Sequence, residues 1–155
     1  MSSPFMAVEE APESVYLHPG QIYTADHAAL VSTILGSCVA VCLWDPVARV
    51  GGMNHFLLPA GKGPRYGTDA MRQLLDEMTG RGAFVARLVA KVFGGASVIA
   101  GFTGSHQAIG TQNIDAARQF LAAHSIALRG EQTGGRCGRK LLFHTGTGGA
   151  YVKDI

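Results

Sequence analysis

Charge is scarce in this sequence. Only 15% of the 155 residues are charged, and the net charge is +2. So small an excess of positive charge does not supply the phosphate neutralisation that drives nucleic-acid binding, and we exclude DNA and RNA as ligands. With 47% hydrophobic residues and 21 glycines, the chain instead predicts a globular domain with a substantial core and many tight turns.

Long apolar segments are also lacking. The longest run without Asp, Glu, Lys, Arg or His, residues 28–44, has 17 residues, which is at the short limit for a membrane span of about 20. Ser32, Thr33, Gly36 and Ser37 interrupt this run. The interruptions favour two buried strands joined by a turn, and they argue against membrane insertion.

The first 14 residues contain Pro4, Pro12 and three glutamates, but neither Lys nor Arg. We predict that residues 1–14 are a flexible leader and that residues 15–155 form a single domain. A secretory signal starts with basic residues, so this composition predicts a cytoplasmic protein.

Cysteines number only three: Cys38, Cys42 and Cys137. An odd count without paired spacing does not predict a disulfide framework, so we expect free thiols, at least one of them available for chemistry. A zinc site combining cysteines with His55 and His144 lacks any short ligand pair, and we predict no metal site. Cys42 lies among apolar neighbours and is predicted to be a core residue.

Strand candidates outnumber helix candidates. Apolar runs bounded by Gly and Pro turn signals predict strands at residues 15–17, 21–24, 30–35, 38–44, 50–58, 88–93, 97–102, 126–131, 140–145 and 150–153. Helices that come singly rather than after every strand argue against a doubly wound parallel sheet. The predicted fold class is α+β, with packed mixed β-sheets in a sandwich-like arrangement and helices on the outside.

Two helices are predicted from apolar residues at helical spacing. The first has Thr68 or Asp69 as a possible N-cap and Gly80 or Gly82 as its end. The second is predicted to start at Asn113, a good N-cap residue.

The residues best suited to chemistry are Cys38 and His55, in neighbouring predicted strands. A thiol is mostly protonated at neutral pH, so a nucleophilic cysteine needs an imidazole or another cation within hydrogen-bond reach. Gly36 and Ser37 precede the cysteine, and a glycine there lets backbone amides approach a bound carbonyl, as an oxyanion site requires. By itself this pattern is more typical of a core cysteine and a hydrogen-bonded structural histidine than of a catalytic pair.

Motifs along most of the chain narrow the choice. They are LGSCVAVC at residues 35–42, DP at 45–46, HFLLP at 55–59, YG at 66–67, AM at 70–71 with Leu74, AKVFGGA at 90–96, IG at 109–110 with Asn113, GG at 134–135 and GRK at 138–140. Their identity and order resemble the bacterial chemoreceptor glutamine deamidases called CheD, over residues 15–153. The resemblance implies a cysteine-hydrolase-like fold.

The resemblance also implies a role for each site residue. Cys38 matches the family's nucleophile and His55 its base, while the third active-site position, commonly threonine, falls on Ser32 beside Thr33. Which of these two hydroxyls orients His55 is left open. The implied reaction converts glutamine to glutamate through a cysteine thioester, as a protein-glutamine glutaminase in chemotaxis adaptation, with neither metal nor organic cofactor.

Two functions follow as alternatives. In the first, the protein deamidates glutamines on the cytoplasmic helices of chemoreceptors, and the resemblance implies the chemotaxis phosphatase CheC as a partner. In the second, it is a non-catalytic chemotaxis binding module that docks on a receptor or phosphatase. The presence of both Cys38 and His55 favours the enzyme, since a binder has no need of a thiol and imidazole pair.

Overall fold

The computed structural model describes residues 12–97 and 108–155. The elements of these two segments are the strands β1 (Glu13–Tyr16), β2 (Ile22–Ala25), β3 (Ala29–Leu35), β4 (Val39–Asp45), β5 (Val50–Asn54), β6 (Val89–Gly94), β7 (Ala127–Thr133), β8 (Arg139–His144) and β9 (Ala150–Asp154), and the helices α1 (Gly67–Gly80) and α2 (Ile109–Ala123). β1 begins inside the segment 1–14 that was predicted to be a leader. The predicted strand at residues 97–102 lies almost entirely outside the described residues.

The strands form two mixed sheets. A four-stranded sheet has the order β1-β3-β8-β9, and a five-stranded sheet has the order β2-β5-β4-β6-β7. The β1–β3 and β6–β7 pairs are parallel and the other pairs are antiparallel. The predicted α+β class with packed mixed sheets is therefore confirmed.

Two hydrophobic cores lie on opposite faces of the five-stranded sheet. One face, including Val39, Val41 and Leu43, packs against α1 and α2. The other face, including Ala40 and Cys42, packs against the four-stranded sheet. β4 is buried on both faces, which explains its uninterrupted apolar sequence. Cys42 is only 1% exposed, so its prediction as a core residue is confirmed.

The uncharged run 28–44 forms two strands in two different sheets. β3 lies in the four-stranded sheet and β4 in the five-stranded sheet, and three residues connect them. The prediction of two buried strands joined by a turn is confirmed. Within residues 12–97 and 108–155, no helix is long and apolar enough to cross a membrane.

The predicted N-caps of both helices are wrong, whereas α1 ends at Gly80, one of the two predicted end positions. α1 begins at Gly67 with Tyr66 at the N-cap, while Thr68 and Asp69 hydrogen-bond to the preceding loop instead. α2 begins at Ile109, so Asn113 lies inside the helix, where it is fully buried. Burial against the sheet has overridden the usual preference of asparagine for helix ends.

Candidate active site

Cys38 ends the connection that carries the chain from one sheet to the other. The connection is anchored to the turn after β6 through its backbone carbonyls. The Gly36 carbonyl accepts a hydrogen bond from the Ala96 N–H at 2.9 Å, and the Cys38 carbonyl accepts one from the Gly95 N–H at 2.8 Å. These bonds fix the backbone on either side of Ser37.

The amides of this connection are directed away from the groups that hold its carbonyls. In a planar trans peptide, a carbonyl and the following N–H point in opposite directions. The Ser37 and Cys38 amides therefore point away from the core, and neither is bonded to the backbone of another described residue. No described atom lies within 4 Å of the place where a side chain on Gly36 would begin. In the part of the chain that the structure describes, these two amides have no backbone partner from another residue, although the Cys38 N–H also contacts the cysteine's own sulfur.

His55 lies on the same sheet face as Cys38. Val39 pairs with Phe56 in an antiparallel bridge that continues the β4–β5 register, which places His55 opposite Ala40. Because side chains alternate along a strand, Cys38 shares the face of Ala40. The two candidates are diagonal neighbours, a relation in which Cα atoms lie roughly 7–8 Å apart and side chains can meet.

A hydroxyl from the opposite sheet holds the His55 ring. Thr33 Oγ1 lies 2.7 Å from His55 Nδ1 and donates its own proton to the Leu17 carbonyl oxygen, also at 2.7 Å. A threonine hydroxyl has one proton, so toward His55 it acts as the acceptor. The bond therefore assigns the proton of the neutral imidazole to Nδ1 and leaves the lone pair on Nε2.

Ser32 points away from this pair. β3 alternates between buried and partly exposed residues, and Thr33 is fully buried while Ser32 lies on the outer face. The open question of which hydroxyl meets His55 in this conformation is thereby answered: Thr33 makes the contact. The family spacing pointed to Ser32, but the alternation of the strand places its side chain on the wrong face.

Burial keeps both reactive groups neutral. Desolvation lowers the pKa of His55 to about 4, and it raises the pKa of the Cys38 thiol above its usual value, partly offset by the cysteine's own backbone N–H. At neutral pH the pair is a thiol and a neutral imidazole rather than an ion pair. His55 Nε2 is buried and has no hydrogen-bond partner among the described residues, so its lone pair is free to accept a proton.

Asn113 belongs to the motifs that carry the family resemblance, but the sequence analysis predicts it as a helix cap and not as a residue of the site. Its side-chain amide donates one hydrogen bond to the carbonyl of Ser37 at 3.0 Å and one to the carbonyl of Leu57 at 2.9 Å. Ser37 immediately precedes Cys38, and Leu57 lies two residues after His55. The available signal was its position on the buried face of α2, where it lies one turn before Ala117. A polar residue in an apolar helical stripe has to find partners inside the protein.

Known proteins resemble this chain in sequence. Residues 59–154 match the family model described as CheD chemotactic sensory transduction. A protein of Anaeromyxobacter dehalogenans named probable chemoreceptor glutamine deamidase CheD 1 is 50% identical over 145 residues, covering 91% of this chain and 84% of that relative. A Stenotrophomonas maltophilia protein named probable chemoreceptor glutamine deamidase CheD is 45% identical over 144 residues, covering 90% and 72%.

One solved structure supports the fold alone. A Neisseria meningitidis protein assigned to the DUF152 family superposes with a TM-score of 0.50 at 11% sequence identity, covering 81% of this chain and 63% of that protein.

Proposed function

The chain belongs to the CheD family, and from this membership and the site geometry we propose that it is a protein-glutamine deamidase with Cys38 as nucleophile and His55 as base. The observation that carries the residue assignment is the Thr33–His55 hydrogen bond. It leaves the Nε2 lone pair of a neutral imidazole unpaired on the sheet face that Cys38 shares. A binding module has no use for such an arrangement.

The proposed reaction begins from neutral groups. The Cys38 sulfur attacks the side-chain carbonyl carbon of a glutamine as its proton passes to His55 Nε2, and the carbonyl π electrons move onto oxygen. Amides of Ser37 and Cys38 stabilise the resulting oxyanion. When the carbonyl re-forms, the carbon–nitrogen bond breaks and His55 returns the proton to the departing ammonia.

A thioester between Cys38 and the substrate remains. His55 then takes a proton from water, whose oxygen attacks the thioester carbonyl, and the carbon–sulfur bond breaks to release glutamate and the thiol. The net change is one amide and one water converted to one carboxylic acid and ammonia. Every proton transfer uses His55, so the route requires neither a metal ion nor an organic cofactor.

The names of the relatives supply the substrate class. We propose glutamines on the cytoplasmic helices of chemoreceptors as substrate, with the cytoplasm as the site of action. We also propose the phosphatase CheC as a partner, on the family resemblance alone.

Mass spectrometry tests the activity directly. Incubation with a chemoreceptor cytoplasmic fragment is expected to raise the fragment's mass by about one dalton per glutamine converted, with release of one equivalent of ammonia, because an amide nitrogen is replaced by oxygen. A fragment whose candidate glutamines are already glutamate is the control. A fragment that binds without any mass change would favour the binding module.

The Thr33 contact predicts a difference between two adjacent hydroxyls. Thr33→Val keeps the side-chain shape but leaves His55 Nδ1 without its acceptor. We expect a loss in kcat of about 2- to 12-fold, because one buried hydrogen bond contributes about 0.5–1.5 kcal/mol. Thr33→Ser is expected to recover most of the loss. Ser32→Ala should remain within about twofold of the parent, since its side chain lies on the outer face.

The measurement is the initial rate of ammonia release, with thermal unfolding as a check that each variant is folded. A large loss in Ser32→Ala with none in Thr33→Val would reassign the orienting hydroxyl to Ser32.

A further inference from the structure

The side chain of Asn113 bridges the two segments that carry the reactive groups. One hydrogen bond goes to the carbonyl of Ser37, immediately before Cys38, and the other to the carbonyl of Leu57, two residues after His55. Both partners are acceptors, so only the nitrogen of the amide can make these bonds, and it uses both of its protons. The orientation of the amide is fixed by this chemistry.

The arrangement is costly to the fold. Asn113 is fully buried, and its Oδ1 has no hydrogen-bond partner among the described residues. An apolar residue of similar size would avoid burying this unpaired oxygen. The same replacement would leave the carbonyls of Ser37 and Leu57 without this donor, so the two donated bonds are what an asparagine supplies at this position.

The Ser37 carbonyl is joined through one peptide bond to the Cys38 N–H, which is a proposed oxyanion donor. The Ser37 carbonyl and the Cys38 N–H belong to the same planar peptide unit and point in opposite directions. A donor that holds the carbonyl from inside the protein therefore aims the N–H at the side where substrate would lie. That N–H is one of the two oxyanion donors in the proposed reaction.

The helix that supplies this donor packs closely against the turn after β6. A side chain on Gly110 would collide with the Gly95 carbonyl oxygen, and one on Gly95 would collide with Ile114. The first turns of α2 thus lie against the same turn whose N–H groups hold the carbonyls of Gly36 and Cys38. This packing positions the Asn113 amide before substrate binds, and an oxyanion site requires such a preorganised donor.

We propose that Asn113 is a positioning residue that orients the Cys38 amide toward the oxyanion. Asn113 does not touch the substrate; it acts through the Ser37–Cys38 peptide. The inference rests on the proposed deamidase function and goes beyond it by naming a residue needed for the oxyanion but not for the nucleophile.

Two reactions of Cys38 separate these roles. Glutamine deamidation passes through an oxyanion, whereas alkylation by iodoacetamide is a displacement at a saturated carbon and forms none. In a Cys137→Ala background Cys38 is the reactive thiol, since Cys42 is buried. For Asn113→Leu we expect kcat for deamidation to fall about 10- to 100-fold with KM within about twofold, because a misdirected oxyanion donor affects mainly the transition state. The alkylation rate, divided by the fraction of Cys38 present as thiolate in each variant, should stay within about twofold.

Two controls accompany this variant. Leu121→Ala removes a buried side chain of the same helix, two turns farther on, and should lower the unfolding temperature without changing kcat at a temperature where the protein is folded. Asn113→Ser, whose small side chain leaves room for water, is the second variant if Asn113→Leu does not fold.

Each other outcome overturns the inference. Parallel loss of deamidation and alkylation would mean that Asn113 supports the whole segment rather than the oxyanion, and unchanged deamidation would remove any role. Failure of both Asn113 variants to fold, while Leu121→Ala folds, would make Asn113 a folding residue. Deamidation by Cys38→Ala in the same assay would instead refute the proposed function itself.

Discussion

Replacement of Cys38 by alanine is expected to reduce receptor deamidation to background while leaving the fold intact. In the proposed reaction the Cys38 thiol forms the covalent bond to the substrate. That reaction uses neither Cys42, which is buried in the core between the sheets, nor the exposed Cys137. The loss should correspond to the full contribution of the covalent route, several orders of magnitude in kcat. Mass shift of a receptor fragment and ammonia release both measure it.

Cys137→Ala is the matched control, because it removes an exposed thiol that the proposed reaction does not use. Its activity should equal that of the parent within about twofold. Receptor binding by Cys38→Ala should persist, since removing one sulfur atom leaves the surrounding surface unchanged. Full deamidation activity in Cys38→Ala would end the cysteine-hydrolase interpretation.

The layered core of this fold could be predicted from the sequence, because β4 has apolar residues on both of its faces. Val39 to Leu43 are apolar at every position, which a strand tolerates only when both faces are covered. In this fold the helices cover one face and the four-stranded sheet covers the other. Strand order was not accessible, because pairs such as β3 with β8 join segments far apart in the chain and depend on the packing of the whole domain.

The choice between Ser32 and Thr33 stays open at the level of the sequence for a physical reason. A strand places alternate residues on opposite faces, so a shift of one position decides which hydroxyl meets His55. The sequence obscured this parity because Ile34, an apolar residue, follows Thr33 and is 48% exposed. Apolar residues on both faces of β3 remove the alternation that would have identified the inner one.

The prediction of Asn113 as an N-cap is wrong for a related reason. An asparagine before an apolar helical run is a strong N-cap signal, and on that signal the sequence predicts a helix that starts at Asn113. α2 in fact starts four residues earlier, at Ile109, and the buried stripe includes Gly110 as well as Asn113. Glycine is a poor helix former whose presence hid the first turn, and it is there because the helix touches the backbone of Gly95.

Removal of His55 is expected to lower deamidation by about 10²- to 10⁴-fold, the usual contribution of a positioned general acid and base. His55→Ala leaves Cys38 as a neutral thiol with no group to accept its proton and none to protonate the departing ammonia. His55→Gln is a second variant that keeps a polar side chain near Thr33. His124→Ala is the matched control, because His124 lies exposed at the end of α2 and stacks on Phe120.

The pH dependence distinguishes a lost base from a damaged fold. Burial lowers the pKa of His55 to about 4, so the neutral, active imidazole persists from neutral pH downward, and kcat/KM of the parent should stay level to about pH 5 and fall tenfold per unit below about pH 4. In His55→Ala the thiol must ionise without help. Because burial raises the pKa of Cys38, the rate should still be climbing about tenfold per pH unit between pH 7 and 9 as the thiolate forms. The gap between parent and variant should therefore narrow steadily toward high pH. A variant whose profile runs parallel to that of the parent would show that another group accepts the proton of Cys38.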